Sequence, residues 1–168
     1  MNSKLSRISE DAKIGRNVRM YDYVNIYGKV EIGDECVIGA FVEIQPGVKI
    51  GNRVKISSHT FICDGVKIED EAFIGHGVMF TNDKFPKSVD KNGKIITASD
   101  TKVIPTYVKH GAIIGSGSTI GSGIIIGEGS LVGMGSVVTH DVEPYSIVCG
   151  NPAKMKRKKT MIEIKEGM

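Results

Sequence analysis

The chain has 168 residues, with 22 Lys and Arg against 19 Asp and Glu and a formal charge of +3, enough for one domain and little for a second. Hydrophobic content of 40% and charged content of 24% exclude the disordered and membrane classes. No stretch approaches about 18 consecutive apolar residues, and Met1-Asn2-Ser3-Lys4-Leu5 lacks a secretory apolar segment, so a cytoplasmic protein without membrane insertion is expected. Twenty-one glycines beside 6% aromatics and no tryptophan point to many tight turns around a narrow aliphatic core. Cys36, Cys63 and Cys149 are odd in number and widely spaced, and read as reduced packing residues.

From Ile14 the chain repeats every six residues: Met20, Ile26, Ile32, Ile38 and onward to Phe80 make twelve anchors without a break. A second run follows at Val108, Ile114, Ile120, Ile126, Val132 and Val138. Four residues after each anchor stands a small or β-branched residue, such as Val18, Cys36, Val54 or Ser118, and glycine follows the anchor in nine of the eighteen hexads. A β-branched anchor points inward from a short strand, and Gly, Asn or Asp makes the turn to the next. Three hexads close one triangular coil, so eighteen make six. A period of six fits no helical stripe.

Between Phe80 and Val108 the period stops. A polar loop beginning Thr81-Asn82-Asp83-Lys84-Phe85-Pro86 leaves the coil there, and long loops leaving a rigid scaffold are often functional. His59 and His76 follow anchors 18 residues apart and should be neighbours along one corner; with His110 and His140 they occupy turn positions, so none of the four should point inward. Past Val142 the period ends, and Lys154-Met155-Lys156-Arg157-Lys158-Lys159 carries five positive charges. Without interleaved aromatics this cluster suits a compact phosphate-bearing ligand better than nucleic acid.

The pattern [Ile/Val]-Gly-x-x-[small or Val]-x over Ile14 to Val142 resembles the hexapeptide-repeat family. The resemblance implies an all-β fold: a left-handed parallel β-helix of about six coils over 1–142, with an inserted loop at 82–107 after the twelfth hexad, and a basic C-terminal extension over 143–168. It also implies an acyltransferase that works as a homotrimer with sites between neighbouring prisms. Gly150-Asn151-Pro152-Ala153-Lys154 is similar to the segment after the last coil of the CoA-dependent members. By that likeness Lys154 and Arg157 approach the CoA phosphates and Ser116, Met134 and Thr139 line the pantetheine arm, with acetyl-CoA as co-substrate and no metal.

The stretch Ile74-Gly75-His76-Gly77-Val78-Met79-Phe80-Thr81-Asn82-Asp83-Lys84-Phe85-Pro86 is similar to acetyltransferases of nucleotide-linked 3-amino sugars, which serve bacterial surface polysaccharides such as lipopolysaccharide. The likeness implies that Asn82 contacts the sugar amine, with His59 and Asp83 as further substrate contacts. Sister O-acetyltransferases carry a catalytic histidine in this loop, because a hydroxyl needs a base. Thr81 to Tyr107 contains none, which favours an amine acceptor, UDP- or dTDP-linked. His76 is then the candidate proton acceptor, and a backbone N–H at Gly111 or a neighbour the oxyanion donor. Alternatives from other classes are a sugar O-acetyltransferase, a carbonic-anhydrase-like metalloprotein using His59 and His76, and a non-catalytic β-helix scaffold.

Overall fold

The computed structural model describes residues 5–97, 100 and 102–166. Its strands run from β1 (Arg7–Ile8) to β21 (Lys154–Lys158), nearly all two residues long, and one short helix, α1 (Met161–Lys165), follows them. Every third strand joins the same sheet, giving three parallel faces of a prism. Partners stand 18 residues apart in register, as Ile26↔Ile44 and Ile38↔Ile56 do, so each three-hexad coil stacks directly on the one before. The anchors expected from the period form the core: Ile26, Ile38, Ile44, Ile56, Ile62, Ile74, Ile114, Ile120 and Ile126 are fully buried. This is the all-β parallel helix that the repeat implies.

Among the described residues the coil count exceeds the expected six. Seven strands stack in the first face, from β1 to β19 (Val137–Val138). Ile8 lies one period before Ile14 and opens a coil that the reading from Ile14 leaves out. At the other end, Val142 bridges to Ile126, and β20 (Ser146–Cys149) pairs in parallel with β18 (Leu131–Val132). The extension therefore leaves the sequence period but stays on the prism for another strand. β21 then folds back antiparallel on β20 and ends the third face. The inserted loop is also shorter at its exit: β14 (Thr106–Val108) already pairs with β11 (Val66–Ile68), so the excursion ends at residue 105, not 107.

Turn chemistry differs from the expected scheme. The residue in the left-handed region is the third after each anchor, running through Asn17, Tyr23, Lys29, Glu35 and Phe41 and later Gly111, Gly117, Gly123, Gly129 and Gly135. The glycines directly after the anchors serve another purpose. A Cβ on Gly39 would lie 2.5 Å from the Ser58 nitrogen, and one on Gly115 2.5 Å from that of Met134. They are glycine because backbone of the next coil presses on them.

Buried hydroxyls join successive coils: Thr60 Oγ1 donates to the Gly75 carbonyl at 2.9 Å and Ser118 Oγ to that of Gly133 at 3.2 Å. This pairing lets small polar residues sit inside the prism. Cys36 and Cys63 are buried free thiols, and burial pushes Cys63 up to about 12, which keeps it protonated and inert as a packing residue should be.

Candidate functional site

The three corners of the prism differ in chemistry, and the candidate residues are spread over all three. The corner from the third face to the first carries Tyr23, Phe41, Ser58, His59, His76, Ser116 and Met134. The corner from the first face to the second carries the inserted loop with Asn82 and Asp83, and Thr139 two coils above. The corner from the second face to the third carries Asn17, Asp34, Glu35, Asn52, Arg53, Asp70, Glu71, His110 and Gly111.

On the first of these corners, Ser58 Oγ lies 2.8 Å from His76 Nδ1, one coil above it. The backbone N–H of His76 donates to Ser116 Oγ at 3.1 Å, one coil further on. His76 is thus fixed from below and from above, with its Nε2 edge in an exposed ring. When Nδ1 donates to the serine, Nε2 carries a free lone pair and can accept a proton. His59 shares the corner but takes another partner: its ring stacks on Phe41 at 4.9 Å, and Phe41 stacks on Tyr23 at 4.8 Å. All four histidines are exposed, as their turn positions require. Met134, 82% exposed, tops the corner with its side chain in solvent.

At the loop corner, the Asn82 carbonyl accepts from Ile104 N–H at 3.1 Å, which pinches the loop shut at its base. Asp83 Oδ1 accepts from Phe85 N–H at 2.8 Å and turns the chain outward. Asn82 and His76 stand at opposite ends of one face, separated by the turn at Gly77 and the strand Met79–Phe80. Thr139 Oγ1 lies 3.0 Å from His140 Nδ1.

Two expectations need correction. Gly111 stands on the third corner, away from His76, and its N–H donates to the Asp70 carbonyl at 3.0 Å. Its amide is consumed in stacking one coil on the next, so it is not an oxyanion donor. Arg157 is likewise engaged: Nη1 and Nη2 donate to Glu163 at 2.7 Å each. That carboxylate also accepts from Thr160 N–H, and Glu163 N–H donates back to Thr160 Oγ1, a capping box that starts α1. The Arg157 guanidinium and these N–H groups hold the Glu163 carboxyl down at about 2. Arg157 therefore anchors the tail through Glu163. Lys154 and Lys156 have no ion pair or hydrogen bond to their ammonium groups among the described residues. Lys154 lines a 320 Å³ cavity at the end of the prism with Val138, His140 and Asp141.

The third corner is a charge ladder. Asp34 accepts from Arg16 N–H, and Asp70 from Asn52 N–H, each one coil apart. These bonds, with the Arg16 guanidinium on Asp34, pull both carboxyls below their ordinary range. Among the described residues no group of three His, Cys, Asp or Glu side chains converges as metal ligands would.

Sequence reasoning missed Ser58, Lys156 and the aromatic partners of His59. Each lay within its reach, since 58 and 76, like 23, 41 and 59, are one coil of 18 residues apart.

Comparison with known proteins agrees with this architecture. The model of the bacterial transferase hexapeptide matches residues 11–46, and that of the hexapeptide repeat of succinyl-transferase matches 110–140. No curated protein matches the sequence. Among solved structures, a variant of AntD, an N-acyltransferase from Bacillus cereus bound to dTDP-4-amino-4,6-dideoxyglucose and CoA, is 22% identical over 96% of this chain and 88% of its own, with a TM-score of 0.61. A hexapeptide-repeat acetyltransferase from Vibrio cholerae, complexed with acetyl-CoA, is 26% identical over 73% of this chain and 70% of its own, with a TM-score of 0.56. A variant of GDP-perosamine N-acetyltransferase from Caulobacter crescentus, bound to CoA and GDP-perosamine, is 19% identical over 90% of this chain, with a TM-score of 0.53. This chain spans 56% of that protein. Sequence and fold agree on the hexapeptide repeat of bacterial transferases, the class that the repeat pattern resembles.

Proposed function

We propose that this hexapeptide-repeat transferase is an acetyl-CoA-dependent N-acetyltransferase acting on the amino group of a nucleotide-linked amino sugar, in the synthesis of surface polysaccharide such as lipopolysaccharide. The observation that carries the reading is the corner where Ser58, His76, Ser116 and Met134 stand in successive coils. A pantetheine arm laid along Ser116 and Met134 brings its thioester down to His76. Relatives of the same fold that bind CoA with nucleotide-linked amino sugars support the substrate class, and the loop without histidine supports an amine over a hydroxyl.

The chemistry follows from these positions. The neutral amine attacks the thioester carbon, the carbonyl electrons move to oxygen, and the tetrahedral oxyanion collapses with loss of CoA thiolate. With Gly111 excluded, the Ser116 N–H takes the oxyanion role: the residue is exposed at the His76 corner, and its N–H has no acceptor among the described residues. The proton of the new ammonium passes to His76 Nε2 or to the departing thiolate. Asn82 orients the amine through its amide oxygen, with Asp83 beside it, and Thr139 lines the arm further up. Lys154 and Lys156 meet the phosphates. Asn82 and His76 occupy different corners, which supports a site shared between neighbouring subunits of a homotrimer. A nucleotide-linked acceptor and acetyl-CoA are both made in the cytoplasm, which supports work there.

The test is thiol release from acetyl-CoA with UDP- and dTDP-linked 3-amino sugars and their 3-hydroxy counterparts. Acetylation of the amines is expected. Preferential acetylation of the hydroxy compounds, abolished in His76→Ala, would overturn the reading.

A further inference from the structure

The corner that carries His76 also carries an aromatic ladder. Tyr23 and Phe41 stack with ring centroids 4.8 Å apart and planes within 9°, and Phe41 and His59 stack at 4.9 Å and 23°. All three occupy the left-handed position of their turns, at φ of 61°, 59° and 62°. At the equivalent position on the corner from the second face to the third, Asn17, Glu35, Arg53 and Glu71 carry no aromatic ring, so the fold does not demand one.

The ladder stops one coil before the reacting region. The next rung is Gly77, followed by Gly117 and Gly135, and a Cβ on any of the three meets nothing within 4 Å. One face of the His59 imidazole packs on Phe41. The other faces the empty rung, bordered by His76, the residue immediately before Gly77.

We infer that this empty rung is the seat of the acceptor: the apolar face of the amino sugar's ring stacks on His59 and continues the aromatic ladder. The inference rests on the acetyltransferase reading above and names the part of that substrate which the corner holds. An aromatic face is electron-rich and attracts the polarised C–H groups of a pyranose ring. The ladder's spacing of 4.8 and 4.9 Å places one stacked ring on each coil, so the bare rung after His59 has room for one more ring. A sugar in this seat has its equatorial amine at the level of His76, directly below the Ser116 and Met134 positions along which the acetyl donor descends. Tyr23 and Phe41 hold the His59 ring square to the prism axis and act as positioning residues.

The experiment measures KM for a nucleotide-linked amino sugar and for acetyl-CoA, with the Ki of bare UDP or dTDP against the same acceptor. His59→Ala should raise the acceptor KM about tenfold, and His59→Phe should hold it within about threefold, since either ring supplies a face. Gly77→Phe should abolish acceptor turnover while acetyl-CoA still binds. Its new ring fills the seat at a left-handed backbone position like that of Phe41, and a cooperative melting transition lowered only as much as that of Gly135→Ala checks folding. The Ki of the bare nucleotide should stay within about twofold throughout.

A Ki that rises with the acceptor KM in His59→Ala would put the nucleobase on His59 and overturn the inference, and loss of acetyl-CoA binding in Gly77→Phe would assign the seat to the donor. Normal wild-type turnover with an unchanged acceptor KM in His59→Ala would remove the stacking seat alone. A wild-type protein that acetylates no amino sugar would remove the function and the seat together.

Discussion

Glycine plays two unrelated parts in this chain, and single substitutions separate them. A Cβ at Gly39 would stand 2.5 Å from the Ser58 nitrogen and 2.8 Å from the Ser57 carbonyl carbon, backbone atoms fixed by the ladder above. Gly135 has φ +67 and open space around its would-be Cβ. Gly39→Ala must push two coils apart and should cost at least about 2 kcal/mol, whereas Gly135→Ala bears only left-handed strain of about 1 kcal/mol. Thermal unfolding should rank them in that order, and equal losses would contradict the separation. The sequence shows both sets as glycines at fixed offsets without saying which offset turns the chain. In the first coils Tyr23, Phe41 and Glu35 occupy the left-handed position, so composition there points away from the residue that turns. Anchors such as Ile38 and Ile114 were legible because a buried β-branched side chain at period six has one physical explanation.

The C-terminal elements were the least legible, because their roles are set by contacts that sequence order does not reveal. Five cations in Lys154 to Lys159 look alike as a run, yet the fold sorts them. Arg157 pairs with Glu163, Lys158 with Glu143, and Lys154 and Lys156 remain free to meet an anion. Lys154→Ala with Lys156→Ala should therefore raise KM for acetyl-CoA several-fold, and less for the analogue lacking the 3′-phosphate. Arg157→Ala should leave that KM unchanged and instead loosen α1. Acid should loosen α1 in the same way. The Glu163 carboxyl sits at about 2 in the folded chain against an ordinary 4.5, so its contribution is complete above 4.5 and is lost as pH falls from there toward 2. Amide protection factors across Met161–Lys165, corrected for the intrinsic exchange rate at each pH, should fall over that window in the wild type, while Glu163→Gln should show low protection already at neutral pH. Protection that persists in Glu163→Gln would assign the helix to some other contact.

At the scale of the whole molecule, the prism sets the proposed site residues far apart on one chain. Its interior is filled by anchors and hydroxyls, so every functional side chain lies outside, and the triangular section sends His76 and Asn82 to different corners. A rigid helix of coils cannot bend to unite them. If each site takes His76 from one subunit and Asn82 from its neighbour, His76→Ala and Asn82→Ala proteins are each impaired alone but complement each other. When equal amounts are unfolded, mixed and reassembled as trimers, a site is intact only where an Asn82→Ala subunit lends its histidine to a His76→Ala subunit's loop. Random assembly gives that arrangement at about one site in four. The mixture should therefore recover about a quarter of wild-type kcat with an unchanged KM, and light scattering should report a trimer before and after. A mixture as impaired as its components, in trimers shown to contain both variants, would place the two residues in the same subunit's site. Asn82 would then have to reach His76 by movement of the loop that Ile104 pins at its base.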